Sequence, residues 1–333
     1  RRKFTGDHVG YQTQVVNCLL ECIDGVEGRP GILVIAATNH PEVIDRALLR
    51  SGRIERHVRM ELPEADERAE ILHFHLRGPV TIDELREITA DLNDWSGADL
   101  EKLAREAKRR ARAAGRPVQI DDVAEALPPL ETFSSEVVRR AAMHESGHAI
   151  VTLSLRRNCR VSVSVRRQHR TFSSDPPAGG LTRYFDEPAD LETRESLEAL
   201  ICRTLAGAAA EEVMIGTRST GWGGSLGSDL HLATVVAGRM VCSLGMGKNL
   251  SFIMEDDHAG LNRSGRLPGA VREEIDGILA EQFARARSII TSHRDMAEAL
   301  AEELLKREHL EPDDVAAIME MHMPDWAERR RAG

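Results

Sequence analysis

The stretch His144-Glu145-Ser146-Gly147-His148 is the part of this sequence best suited to chemistry. In a helix, residues four apart share a face, so His144 and His148 can direct two imidazoles at one cation. Glu145 is offset by one position and can reach a water on that cation. A zinc ion held there would lower the pKa of its water to about 7. Glu145 could then take the proton as the water attacks a peptide carbonyl, and pass it on to the leaving amine. The neighbours Ala141, Ala142, Met143, Ala149, Ile150 and Val151 are apolar. They predict a buried helix, where two imidazoles and a carboxylate without a ligand would carry a desolvation cost.

A catalytic zinc takes three protein ligands and keeps one position open. No third histidine follows at short spacing, so the third ligand must come from elsewhere. Asp229 is the candidate, because it opens a helical stretch directly after a glycine-rich loop and can lean toward a neighbouring helix. A helix-start carboxylate favoured by the macrodipole is the competing reading. Glu211 and Glu212, near the end of an Ala-rich helix, also compete for the metal. A carboxylate there is costly to bury unless paired, so one of the two is expected beside a zinc-bound histidine, fixing its tautomer and orientation. A structural zinc site would fill all four positions with Cys or His, and no cysteine lies near the motif.

The elements that must position these groups can be read from periodicity. Helical spacing predicts helices over residues 11–24, 64–76, 81–91, 96–114, 121–127, 134–156, 189–215, 228–243, 269–291, 294–306 and 312–320. Ser96 is an expected N-cap and Gly115 an expected stop. Residues 31–37 form a short continuous apolar run, which predicts a buried parallel strand covered on both faces. Residues 160–165 alternate with period two and predict a strand, as do residues 181–185. Pro128-Pro129 marks a domain boundary, and no repeat occurs at solenoid periods.

The chain has 333 residues, enough for two or three domains, of which 41% are hydrophobic, 29% charged and 4% aromatic. That composition predicts a soluble, helix-rich protein. Its net charge of −10 argues against nucleic acid as the main partner. Arg166-Arg167 and Arg329-Arg330-Arg331 are short basic clusters, expected to be solvated surface. The five cysteines are dispersed, with no CxxC pair, which predicts reduced thiols, and Cys18 and Cys22 are expected in the core. No apolar run approaches the ~20 residues needed to span a bilayer, and no signal peptide is expected from the residues given.

Taken in order, these motifs resemble FtsH-type AAA+ zinc metalloproteases over nearly the whole chain. Ile35-Ala36-Ala37-Thr38-Asn39 resembles the strand that ends in the family's sensor-1 Asn, here Asn39. Arg50-Ser51-Gly52-Arg53-Ile54-Glu55-Arg56 resembles the region whose two arginines, here Arg50 and Arg53, reach the neighbouring subunit's nucleotide. Ser96-Gly97-Ala98-Asp99-Leu100 is similar to the helical-lid motif near the nucleotide base, which places Gly97 and Ala98 there. His144 to Ala149 is similar to the family's HEAGHA, Ala210-Glu211-Glu212 to its AEE segment, and Ser219 to Thr234 to the stretch holding its third ligand, an Asp.

The resemblance implies the end of an AAA+ α/β subdomain at residues 1–62, a helical lid at 63–128, and a mostly helical zinc peptidase domain with a small sheet at 129–325. It implies Zn²⁺, with ATP and Mg²⁺ in a full-length protein. The expected assembly is a homohexamer that degrades unfolded or membrane proteins at the cytoplasmic face of a bacterial inner membrane. A remodelling ATPase with a silent peptidase domain is the alternative. The sequence departs from the family at Ser146, Ser51 and Ile54, and in a longer loop over residues 221–227. It also contains no GxxxxGK[ST] phosphate loop, which suggests a C-terminal portion whose phosphate loop and membrane helices lie upstream.

Overall fold

The structure is a computed structural model that describes residues 7–24, 32–38, 44, 46–58, 60, 62–92, 95–156, 159–172, 178–185, 191–253 and 267–323. The chain divides into two compact units, one running to Glu61 and the other starting at Leu62.

In the first unit, helix α1 spans Asp7–Asp24, and a short 3₁₀ turn covers Arg46–Leu49. Ile23 and Leu48 are buried, but Val15 and Leu19 are exposed, and so are Cys18 and Cys22. The expectation of buried thiols therefore fails, because the helix face that carries them has nothing packed on it among the described residues. Of the apolar run at 31–37, Gly31 lies outside the described residues, and the rest fails as a strand for a related reason. Residues 32–38 are not hydrogen-bonded as a strand, and Leu33 and Ile35 are more than four-fifths exposed. A parallel strand takes its ladder bonds and its two covered faces from neighbouring elements. Among the described residues none supplies them.

The second unit opens with four helices, α2 (Ala65–Leu76), α3 (Ile82–Thr89), α4 (Gly97–Ala113) and α5 (Ile120–Ala126). They close around Leu72, Leu76, Leu85, Leu100, Leu103 and Val123. Each fully buried Leu contributes about 1.5–3 kcal/mol. At the start of α4, Ser96 and Asp99 form a reciprocal capping box. The Ser96 hydroxyl accepts from Asp99 N–H at 3.3 Å, and the Asp99 carboxylate accepts from Ser96 N–H at 3.0 Å. Gly115, at φ +66°, ends the helix in the left-handed region.

Helix α6 (Ser135–Leu155) follows, capped by the Ser134 hydroxyl, which accepts from Val137 N–H. Strands β1 (Glu131–Thr132) and β3 (Gln168–His169) form a two-residue ribbon. Strands β2 (Arg160–Val165), β4 (Gly180–Phe185) and β5 (His309–Leu310) form an antiparallel sheet in the order β4-β2-β5. The register sets Val163 opposite Thr182 and Val165 opposite Gly180. Helix α6 lies against β2 and β4 on one side and against a run of small residues on the other.

That run belongs to α8. The predicted helix over 189–215 is two helices, α7 (Arg194–Thr204) and α8 (Ala206–Ile215), separated at Leu205 with φ −85° and ψ −3°. Both helices are apolar at helical spacing, so periodicity could not reveal a single-residue break between them. Helices α9 (Asp229–Cys242), α10 (Gly269–Ser292), α11 (Arg294–Arg307) and α12 (Pro312–His322) complete the unit. One core joins α6 and the sheet to α11 and α12 through Ile150, Leu153, Val161, Val163, Leu300 and Leu304. No helix among the described residues is long and apolar enough to cross a membrane.

The capped four-helix group and the sheet-bearing part are joined through Trp95. Its indole N–H donates to the Arg170 carbonyl at 2.9 Å, and its ring lies 5.0 Å from that of Phe172.

Candidate metal centre

The site begins in the middle of α6, where the helix is buried on nearly every side. His144 and His148 stand one turn apart with their Nε2 atoms 3.1 Å from each other. Asp229 is the first residue of α9, and its Oδ2 lies 3.1 Å from His144 Nε2 and 3.3 Å from His148 Nε2. The three donor atoms fall within 4.8 Å of one another, and theirs is the one such group found among the described residues.

The outer nitrogens of the two rings fix which atoms face inward. His148 Nδ1 lies 2.8 Å from the Arg203 carbonyl in the last turn of α7. A carbonyl oxygen can only accept, so Nδ1 carries the proton and Nε2 presents a lone pair. His144 Nδ1 lies 2.9 Å from Glu211 Oε1. Glu211 also accepts from Arg140 Nη1 at 2.9 Å, from Ser219 N–H at 2.7 Å and from the Ser219 hydroxyl at 3.0 Å. Burial would push its carboxyl pKa up, but these donors outweigh burial and hold it well below the usual carboxylate range. Glu211 is therefore an acceptor, and in its neutral form the His144 ring too turns a lone pair inward.

Two imidazole lone pairs and a carboxylate oxygen thus converge without a proton donor between them, an arrangement that repels itself unless a cation sits inside. Ligands on a tetrahedral zinc with bonds of 2.0–2.1 Å stand about 3.3 Å apart. The observed 3.1–3.3 Å separations fit that geometry. In the metal-free protein the cation is a proton. Burial would lower the His144 pKa, but the bonds to Asp229 and Glu211 and the charge of Glu145 raise it to about 10. Asp229 is likewise opposed by burial, yet the two histidines drive its pKa well below the usual range.

Glu145 is buried beside this cluster, and its Oε2 accepts from the Thr182 hydroxyl at 2.5 Å. Of the two glutamates in the AEE segment, only Glu211 reaches the site. Glu212 pairs instead with Arg218 at 3.3 Å and Arg287 at 3.2 Å. Backbone geometry forces part of this arrangement. A Cβ on Gly207 would lie 2.2 Å from His144 Nε2, so α8 can approach the ring only because that position has no side chain.

Arg140, Gly207, Thr182 and the Arg203 carbonyl escaped sequence reasoning. Arg140 stands one helical turn before His144, and Gly207 one turn before Glu211, so helical spacing carried a signal for both. Thr182 sits in an unremarkable alternating strand and gave none.

Arg53 makes a bidentate pair with Asp24 at 2.7 and 2.8 Å and donates to the Ala47 carbonyl at 2.7 Å. Arg50 is exposed, and its carbonyl accepts from Arg53 N–H. Gly97 and Ala98 form the first turn of α4. Asn39 lies outside the described residues.

A helix offering two imidazoles, met by an aspartate from a second helix and flanked by a buried glutamate, defines the HExxH class of metal site. Residues 131–318 match peptidase family M41, and the chain belongs to that family. Residues 1–62 match the ATPase family associated with various cellular activities. The chain is similar to ATP-dependent zinc metalloprotease FtsH 2 of Symbiobacterium thermophilum, at 35% identity over 92% of this chain and 53% of that protein. It is also similar to ATP-dependent zinc metalloprotease FtsH of Pseudothermotoga lettingae, at 33% identity over 93% and 52% respectively. The FtsH of Parabacteroides distasonis is 32% identical over 91% of this chain and 45% of its own length. The chain therefore spans about half the length of these curated relatives.

Proposed function

We propose that this protein is a zinc-dependent endopeptidase, with His144, His148 and Asp229 as metal ligands and Glu145 as general base. The observation that carries the reading is the convergence of three lone-pair atoms at zinc spacing, beside a buried carboxylate that is not itself among them. Bound zinc would supply an acidified water and polarise the scissile carbonyl. Glu145 would take the water's proton and return it to the leaving amine. Glu211 orients His144, and the Arg203 carbonyl orients His148. Among the described residues, strand β4 pairs on one side only, with β2, and it carries Thr182, the partner of Glu145. Its other side would offer an extended peptide a row of backbone partners.

The likeness to AAA proteins and the relatives' names support a wider reading. In it, residues 1–62 and 63–128 are parts of an ATP- and Mg²⁺-using module, and residues 129–325 form the peptidase. The working unit would be a homohexamer acting on unfolded or membrane proteins at the cytoplasmic face of a membrane. In a full-length protein, Arg50→Ala and Arg53→Ala should each reduce ATP hydrolysis while leaving nucleotide bound. Unchanged hydrolysis in both variants would remove the trans-acting role.

The peptidase reading is tested with Glu145→Gln. This variant should keep one zinc per chain and lose most cleavage of an unfolded casein substrate. Near-normal turnover would show that another group serves as the base.

A further inference from the structure

Glu145 is a base only if its carboxylate is held where one oxygen stays free to receive a proton. The terminal torsion of a glutamate is broad and roughly two-fold, so the helix alone does not fix it. In this structure the carboxylate lies in a slot made by two residues on one face of β4. The Thr182 hydroxyl is 2.5 Å from Oε2 and 3.4 Å from the Glu145 carbonyl. A hydroxyl has one proton to give, and the shorter, charge-assisted contact takes it. The second wall is Gly180, where a Cβ would stand 2.6 Å from Glu145 Cγ and 2.8 Å from Oε1.

Successive residues of a strand point to opposite faces, so positions 180 and 182 come to the same side together. Their placement is locked to the buried strand β2 by the pairs Val165↔Gly180 and Val163↔Thr182. Oε1 therefore rests against the bare backbone at Gly180, while Oε2 is engaged by a donor.

We propose that Thr182 is a positioning residue for the general base. Its hydroxyl engages Oε2 and so fixes the turn of the carboxylate, while Gly180 keeps the space in which Oε1 lies. Thr182 makes no bond to a metal-ligand residue, so its effect falls on the base and not on metal retention. The inference rests on the peptidase reading for its kinetic consequence, but the slot itself can be tested without activity.

The experiment compares Thr182→Val, Thr182→Ser and Gly180→Ala. Thr182→Val keeps the shape and removes the donor, and Thr182→Ser keeps the donor. Zinc content, thermal unfolding, kcat and KM on an unfolded substrate, and crystal structures of the metal-free proteins are measured. Thr182→Val should keep one zinc per chain and an unchanged unfolding temperature. Its kcat should fall by about tenfold or more at constant KM, as expected for a displaced acid–base group. The Glu145 carboxylate should leave its slot in the crystal. Thr182→Ser should restore kcat to within about threefold and return the carboxylate to its place, both following from the donor alone. Gly180→Ala should reproduce the Thr182→Val pattern from the opposite wall.

The proposal is overturned if Thr182→Val holds kcat within twofold, if its carboxylate does not move, or if Thr182→Ser behaves like Thr182→Val. Loss of zinc or of thermal stability in step with activity would reassign Thr182 to a structural role. If the unmodified protein cleaves nothing, the peptidase reading fails, and the carboxylate position in the metal-free crystals still decides whether Thr182 holds Glu145.

Discussion

Glu211 Oε1 lies 2.9 Å from His144 Nδ1, and the same carboxylate accepts from Ser219 in the loop that leads to Asp229. One buried group thus orients the first metal-ligand candidate and anchors the segment that delivers the third. Arg140 reinforces the link by donating to both Glu211 Oε2 and the Thr217 carbonyl at 2.9 Å.

Substitutions at the three competing carboxylates should therefore separate cleanly. Asp229→Asn should lose zinc most completely on dialysis against a mild chelator. Glu211→Gln should weaken zinc affinity or activity by about 10–100-fold, as loss of a partner behind a metal-bound histidine does. Glu212→Gln should retain its metal, because Glu212 faces Arg218 and Arg287. A full equivalent of zinc in Asp229→Asn, with an empty Glu211→Gln, would transfer the ligand role to Glu211.

Gly207→Ala tests the approach of α8 to α6. Alanine is the better helix former by about 0.8–1 kcal/mol, so on propensity alone the variant should be more stable. The added Cβ would stand 2.2–2.4 Å from three atoms of the His144 ring. The expected result is loss of zinc together with lower thermal stability. Full metal content and a raised unfolding temperature would show that the ring has room to move.

Zinc uptake by the metal-free protein should depend on pH. His144 is raised from 6.5 to about 10, so its contribution to folding is complete below about pH 6.5 and is lost as pH rises through about 10. Asp229 is lowered from 3.8, so its contribution is complete above about pH 4 and is lost as pH falls through its depressed value. The protonated pair is thus worth most to the metal-free fold between about pH 4 and 6.5, where zinc must displace the proton. Below about pH 10, apparent zinc affinity should rise roughly tenfold per pH unit for one released proton. A competition titration from pH 6 to 9 measures this, and a flat profile would contradict the shared proton.

Trp95→Phe should keep the packing on Phe172 and remove the bond to the Arg170 carbonyl. The expected loss is about 1 kcal/mol, the usual net value of a neutral hydrogen bond. A urea unfolding midpoint unchanged from the parent would mean that water replaces the indole N–H.

Much of the site was legible because its chemistry is written at short range. His144, Glu145 and His148 lie within one turn and a half of one helix, and apolar neighbours announced its burial. Asp229 read as a helix-opening acid after a glycine-rich loop, a position that suits a helix-start carboxylate as well, and the resemblance chose between the two. What periodicity could not decide was Glu211 against Glu212. Adjacent residues on a helix point about 100° apart, and which one meets His144 depends on how α8 is set against α6. The small residues of α8 set that approach, and they read in the sequence only as an apolar stretch. Leu205 hid the break between α7 and α8 in the same way. The run at 31–37 has the composition of a buried strand, but a strand is defined by neighbours, and composition alone does not provide them. The exposed Cys18 and Cys22 follow from the same dependence.

Gly147 and Ala210 touch where α6 crosses α8, and Ala206 and Gly207 extend that contact toward His144. Alanine and glycine have no side-chain rotamers to surrender on folding, so this contact forms without the side-chain entropy loss that Leu or Met would incur. Behind His144, α6 and α8 therefore meet through backbone and methyl groups, with no long side chain between them to repack.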